Sequence, residues 1–328
     1  MVTGGAGYVG SLLTPRLLAA GYEVTVYDVM YFGDFFLPKD NPRLTVVAGD
    51  VRDSRKFAAA VEGHDAIIHL ACISNDASFE LDERLSTTIN LDAFEPLVLA
   101  AKRAGTRRFI YASSSSVYGV SDEQDVTEQH PLVPLTLYNK YKGMCEPLLF
   151  KHTDDNFVGV VFRPATVCGY APRLRLDLSV NILTNHAVVN NKIMVFGGSQ
   201  LRPNLHIADY IDLCLLLLNA PDEKIKDQIF NCGYQNMTIM EIARLVKRVV
   251  EREFPQAAID IVTTTSNDNR SYHINSDKIR RMLGFVPQHS IEDAVQDLCC
   301  AFREGKITNS MTNDWYYNVR TLKKLNAA

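Results

Sequence analysis

Short apolar runs and amphipathic stretches alternate along the first half of the chain. Glu23 to Asp28 (EVTVYD), Leu44 to Asp50 (LTVVAGD), Ala66 to Ala71 (AIIHLA), Arg108 to Ser113 (RFIYAS) and Phe157 to Pro164 (FVGVVFRP) are rich in β-branched residues and bounded by turns. Such runs read as strands buried on both faces. Between them, Tyr8 to Ala20, Arg84 to Ala104 and Tyr138 to His152 repeat apolar positions at helical spacing. The alternation predicts βαβ units on a mostly parallel, doubly wound sheet. After Pro164 the regularity breaks. A helix near Leu178 to Asn190, an IMVFGG segment and an amphipathic helix capped by Thr238 and Glu241 predict a smaller mixed α/β lobe. The expected division is residues 1–164 and 165–328, with parts of the second returning to the first sheet. No internal repeat, low-complexity tract or long linker interrupts it.

Composition narrows the class. The chain has 328 residues, 47% hydrophobic and 22% charged, enough for a large core, with a net charge of −4. Its pI is about 6.1. Basic residues are scattered, so nucleic acid is not an expected partner. The apolar run CLLLLNA after Leu213 is too short to cross a bilayer, and the chain opens on a glycine-rich turn instead of a signal peptide. A cytoplasmic protein without a membrane partner is expected. The seven cysteines, at 72, 145, 168, 214, 232, 299 and 300, show no CxxC spacing and read as reduced thiols. No spacing of His, Asp or Glu suggests a metal. His69 and His206 lie in apolar runs.

Three segments carry chemistry. In TGGAGYVG, the glycines Gly4, Gly7 and Gly10 precede a helix, which permits a tight turn and close approach of a pyrophosphate to free helix N–H groups. The next strand ends in Asp28, about twenty residues on, as expected for a carboxylate that binds an adenosine ribose and repels a 2′-phosphate. This favours NAD over NADP. Only Met1 and Val2 precede Thr3, so the first strand is expected to be stunted or to continue into residues ahead of Met1.

The second segment is LYNKYKGMCE. Tyr138 and Lys142 fall one helical turn apart on one face. A nearby ammonium and a cationic nicotinamide would both favour the phenolate, so Tyr138 could take an alcohol proton as hydride leaves. The rival Tyr141 has Cys145 at that spacing and gains no such partner. The third is the serine run Ser113 to Ser116, at the end of a strand that opens into the same crevice; a hydroxyl there would bind a substrate oxygen.

Together with GDVRD (Gly49 to Asp53), HLA (His69 to Ala71), FRPATVCG and RPNLHIAD, these motifs resemble, in order, the extended short-chain dehydrogenase/reductase superfamily of nucleotide-sugar epimerases and dehydratases. The resemblance implies a Rossmann-type fold and Tyr138 as base, with Lys142 its modulator and nicotinamide-ribose ligand. Ser114, counted back from VYG, would hold the reacting sugar oxygen, with Ser113 as the nearest alternative. It implies Gly4, Gly7, Tyr8, Val9, Gly10, Asp28, Asp50, Val51, Leu70 and Ala71 at the cofactor. Asn90 would lie near the active-site water. Ser74, Ser115, Asn181, Arg202, Asp268 and Arg270 would lie at a nucleotide-diphosphate sugar. A homodimer through the helices Asn90 to Ala104 and Tyr138 to His152 is also implied.

Related dehydratases place Asp and Glu directly after the catalytic hydroxyl, where this chain has Ser115 and Ser116. Elimination is therefore disfavoured. What remains is a 4-epimerase, a dehydrogenase or reductase with net turnover, or a cofactor-binding protein without turnover. Cys72 and Cys168, at strand ends, could move protons as in a 3,5-epimerase. No lysine is visibly placed beside them, which favours small buried residues instead.

Overall fold

The computed structural model describes residues 1–121, 123, 125–265 and 271–326. Its strands are β1 (Val2–Thr3), β2 (Val24–Asp28), β3 (Leu44–Ala48), β4 (Ala66–His69), β5 (Arg108–Ala112), β6 (Val158–Pro164), β7 (Thr166–Cys168), β8 (Lys192–Phe196), β9 (Leu201–His206), β10 (Gln228–Cys232), β11 (Gln235–Thr238) and β12 (Asp260–Thr264). Seven form a wholly parallel sheet in the order β10-β6-β5-β4-β1-β2-β3. Both of its faces are covered, because runs such as Ile67–Ile68 and Phe109–Ile110 bury side chains alternately on opposite sides. The first strand is two residues long, yet it lies between β2 and β4 at the point where the strand order reverses. Ligands of such sheets bind outside that point.

The expected helix over Arg84 to Ala104 is broken. It runs as Glu83–Thr87, a π-helical turn Thr88–Asp92, and a second helix Phe94–Arg103. The Thr87 and Thr88 hydroxyls donate back to the Glu83 and Leu85 carbonyls at 2.6 and 2.7 Å, which competes with the regular ladder. Asn90, in the widened turn, accepts from the Ile73 N–H at 2.8 Å and donates to the Ile73 carbonyl at 2.9 Å. It fastens the loop after β4.

The second half supplies a three-stranded sheet β11-β9-β7 and the pair β12-β8, while β10 returns to the edge of the main sheet. The capping box forms as expected: Thr238 N–H donates to Glu241 at 2.7 Å and Glu241 N–H to Thr238 Oγ1 at 3.1 Å. The helix it opens, Ile239–Glu253, packs Ile242, Val246 and Val249 with Val180, Leu183 and Val295. Among the described residues, no helix is long and apolar enough to cross a membrane.

Candidate active site

A cavity of about 340 Å³ opens where β1, β2, β4, β5 and β6 end. Its floor is the glycine turn. Gly4 has a φ of +72°, and a Cβ there would lie 2.7 Å from the Ala71 nitrogen. A Cβ on Gly10 would fall 2.4 Å from the Gly5 carbonyl carbon, so only glycine lets the helix Gly10–Ala19 start this close to the turn. The N–H groups of its first turn are thereby brought to the cavity floor. Asp28 ends β2 with its carboxylate fixed by the Ala6 and Met30 N–H groups at 2.9 and 2.8 Å. Burial raises its pKa. Asp50 pairs with Arg52 at 2.6 Å. Gly4, Gly7, Tyr8, Val9, Gly10, Asp28, Asp50, Val51, Leu70 and Ala71 all line this one cavity.

Two arginines of the segment GYAPRLRLDLSVN, not singled out by the sequence, stand in the same wall. Arg173 is only 1% exposed, its guanidinium 3.7 Å from the Phe32 ring centroid. Its backbone N–H donates to Ser11 Oγ at 3.2 Å. Burial, with Arg175 nearby, pulls its pKa down to about 9. Arg175 donates from Nε to Asp177 at 2.8 Å and from Nη1 to Ser74 Oγ at 3.1 Å. Arg173 Nε and Arg175 Nη2 are buried without a hydrogen-bond partner. Buried, unpaired guanidinium N–H groups beside a helix N-terminus fit the diphosphate of a dinucleotide, and Asp28 fits its ribose. The residues present therefore fit NAD. In the sequence the signal was PRLR, two arginines straddling one residue after a strand end at the crevice.

On the reactive side, the four serines separate into different tasks. Ser113 is buried, borders the cavity and donates to Glu146 at 2.6 Å, which engages its hydroxyl. Ser114 faces the cavity and caps the short 3₁₀ helix Ser115–Tyr118, accepting from the Ser116 N–H at 3.2 Å. Its hydroxyl lies 2.7 Å from Ser116 Oγ, which donates in turn to Asn139. The helix Leu137–Phe150, capped by Thr136, carries Tyr138 and Lys142 into the same cavity. Lys142 donates to the Ala112 carbonyl at 2.7 Å. Tyr138 is pushed well above its ordinary pKa, first by burial and then by Cys72, whereas Arg175 pulls it down. Lys142, the expected tuning cation, and Arg175 both line the cavity with Tyr138.

Toward the second lobe, Ser74 and Ser115 line the main cavity. Arg202 lies in an adjoining cavity of about 110 Å³ that shares Asp76, Ser116, Asn139 and Tyr272 with it. Asp76 was not singled out by the sequence; it accepts from Thr136 Oγ1 at 2.6 Å. Asn181 does not reach the cavity. It is 0% exposed, accepting from Gly169 N–H at 3.0 Å and donating to the Arg175 carbonyl at 2.8 Å, because its helix begins beneath the Gly169–Asp177 loop. Asn90 likewise holds the Ile73 loop and is not in the wall. Asp268 and Arg270 lie outside the described residues.

Cys72 lines the cavity, whereas Cys168 is buried and burial raises its pKa. His69 is buried with Nδ1 2.8 Å from Thr3 Oγ1, and burial lowers its pKa to about 3. Among the described residues, no group of three His, Cys, Asp or Glu could hold a metal ion.

Known proteins are similar to this chain in sequence and fold. The UDP-glucose 4-epimerase of Lactobacillus helveticus is 27% identical over 323 residues, spanning 90% of this chain and 94% of that protein. UDP-glucuronic acid decarboxylase 1 of Arabidopsis thaliana is 27% identical, spanning 92% of this chain and 69% of that protein. Among solved structures, the dTDP-glucose 4,6-dehydratase of Streptomyces venezuelae with NAD bound superposes with a TM-score of 0.82 at 24% identity, covering 96% of this chain and 98% of that one. The UDP-glucose 4-epimerase of Thermotoga maritima with UDP-glucose gives 0.83 at 22% identity, covering 93% and 98%. Residues 1–233, most of the chain, match one family throughout, and the chain belongs to it: the NAD dependent epimerase/dehydratase family.

Proposed function

We propose that this enzyme is an epimerase of nucleotide-diphosphate sugars that oxidises one sugar carbinol, at C4, and reduces it again on the opposite face. The observation that carries the reading is the fate of the serine run. Ser114 shares a cavity with Tyr138 and Lys142, while Ser115 and Ser116, where related dehydratases have carboxyls, are committed to a 3₁₀ turn and to Asn139. No acid stands directly after Ser114 to protonate a leaving hydroxyl. The 4-epimerases among the relatives agree with it.

In this reading residues 1–164 bind the cofactor and residues 165–328 mainly the substrate. The glycine turn, Asp28 and Arg173 would hold NAD, which supplies a hydride acceptor and donor when bound. Ser114 holds the carbinol oxygen, and Tyr138 takes its proton and later returns it to the ketone oxygen. Arg175 and Lys142 keep positive charge in the wall as the phenolate forms. Arg202 would meet the substrate diphosphate in the adjoining cavity.

The helices Phe94–Arg103 and Leu137–Phe150, with Met144 and Pro147 exposed, would form a homodimer, which sedimentation checks. The seven free cysteines suit a cytoplasmic enzyme.

The test is to load the protein with NAD, supply UDP-glucose and other nucleotide sugars, and follow C4 configuration by NMR together with absorbance of reduced cofactor. C4 inversion without accumulated NADH is expected. NADH formed in proportion to substrate consumed would replace this reading with a net dehydrogenase.

A further inference from the structure

The segment after the helix Ile291–Arg303 crosses from the second lobe to the cofactor side. Tyr316 and Tyr317 pack in one apolar cluster with Tyr8 and Leu174. Trp315 donates its indole N–H to the Phe32 carbonyl at 2.6 Å, its ring centroid 5.1 Å from that of Phe35. Leu322, in the helix Asn318–Asn326, is buried with Val51 and Ile73 under the main sheet. Between these anchors, Asn318 is 4% exposed and forms part of the cavity wall.

Asn318 joins three stretches of chain at the cavity. Its Oδ1 accepts from Arg173 Nη2 at 2.5 Å, its Nδ2 donates to Ser74 Oγ at 3.1 Å, and its backbone N–H donates to Asp177 at 3.3 Å. Arg173 is thus fixed from three sides: Ser11 Oγ on its backbone, the Phe32 ring under its guanidinium, and Asn318 on its Nη2. Its Nε is buried without a partner. An arginine side chain carries high rotamer entropy, so aiming its fork of donors at an anion is helped by contacts that hold the guanidinium in one place.

Resting on the NAD reading above, we propose that Asn318 is a positioning residue that aims the Arg173 guanidinium at the cofactor diphosphate, and that the segment Trp315–Leu322 must lift for the cofactor to leave. The segment is held on both halves, at Phe32, Ser74 and Val51 on the cofactor side and at Arg173, Asp177 and Asn185 on the second. Cofactor exchange would then be slow while substrate still enters from the Arg202 side. That separation suits an enzyme that returns its hydride within the site.

The test measures release of NADH, by its fluorescence on displacement with excess NAD, and equilibrium binding of ADP-ribose and of adenosine. Wild type is compared with Asn318→Ala, Asn318→Asp and Trp315→Phe. Loss of one charge-assisted hydrogen bond is worth roughly tenfold. Asn318→Ala should therefore release NADH about tenfold faster and weaken ADP-ribose about tenfold, with adenosine unchanged. Asn318→Asp, which keeps the acceptor for Arg173, should return to within about threefold of wild type.

Wild-type release in Asn318→Ala, or equal weakening of adenosine and ADP-ribose, would overturn the proposal; the second outcome marks a merely structural residue. If Asn318→Ala does not fold, Trp315→Phe, which loses the bond to Phe32 and part of the ring contact with Phe35, carries the test. Faster release with unchanged adenosine binding supports the proposal, and unchanged release overturns it. A wild-type protein that binds neither NADH nor ADP-ribose would refute the NAD reading itself.

Discussion

Removing the Glu146 carboxylate should destabilise the protein and misplace Ser114 at once. Glu146 lies one helical turn beyond Lys142, and its side chain and that of Arg163 are each only 3% exposed. Arg163 donates to it from both Nε, at 2.9 Å, and Nη2, at 2.5 Å; Ser113 donates to it at 2.6 Å. Arg163 Nη1 donates on to Tyr118 Oη at 2.6 Å, and Tyr118 donates to Asn231 at 2.7 Å. The network thus grips the serine run at both ends, Ser113 and Tyr118, and ties it to the helix of Tyr138 and Lys142.

Glu146→Ala leaves Arg163 as an uncompensated buried charge, a change that costs about 3–5 kcal/mol. With an unfolding entropy of roughly 2.1 cal/mol/K per residue over a chain of this length, Tm should fall by about 4–7 °C. The paired change Glu146→Leu with Arg163→Met removes both charges and should recover most of that loss in calorimetry. It should not recover kcat, because Ser113 and Tyr118 remain unanchored. A single variant that melts within about 1 °C of wild type, or a pair that melts as low as the single, would refute the reasoning.

Four further outcomes are expected. Because burial holds Tyr138 well above its ordinary pKa and Arg175 opposes this, the log of kcat should climb with pH toward 10 without a plateau below it. Arg175→Met should move that climb to higher pH, and an unmoved profile would remove Arg175 from the site. Tyr138→Phe should abolish hydride transfer while leaving the NAD dissociation constant within about twofold, as titration would show. Asp28→Asn should narrow the preference for NAD over NADP by about tenfold or more in paired binding isotherms, since a carboxylate no longer faces the 2′-phosphate. Finally, His69 is held neutral by burial and then by Lys142, with a pKa of about 3 against 6.5 unfolded. The unfolded state binds the extra proton between those values, so this contribution is complete above pH 6.5 and is lost as pH falls toward 3. His69→Asn should flatten the acid side of the Tm–pH curve; an unchanged slope would assign acid unfolding to other groups.

The sequence by itself determined the sheet and its cofactor edge. Alternating short β-branched runs and helical repeats can bury two faces only as a parallel, helix-covered sheet, and the glycines at 4, 7 and 10 are local requirements of backbone and packing. Tyr138 and Lys142 were legible for the same reason, because a spacing of four fixes two side chains on one face of any helix. The break in the helix over Thr87 to Asp92 was less so: from the widened turn Asn90 bonds the backbone of Ile73, seventeen residues away.

What tertiary structure alone decided are the contacts made across long stretches of chain. Nothing in PRLR tells Arg173 from Arg175 until Asn318, 145 residues on, takes the Nη2 of the first. Asn181 reads as a substrate contact until its helix seats it under Gly169. Ser113 and Ser114 are neighbours of identical chemistry that border one cavity, and only Glu146, 33 residues from the first, engages its hydroxyl as an anchor. Periodicity and spacing encode what a few residues must do together locally. Which of two equivalent polar groups is desolvated depends on the partner that packing brings to it, and that partner leaves no mark in the sequence nearby.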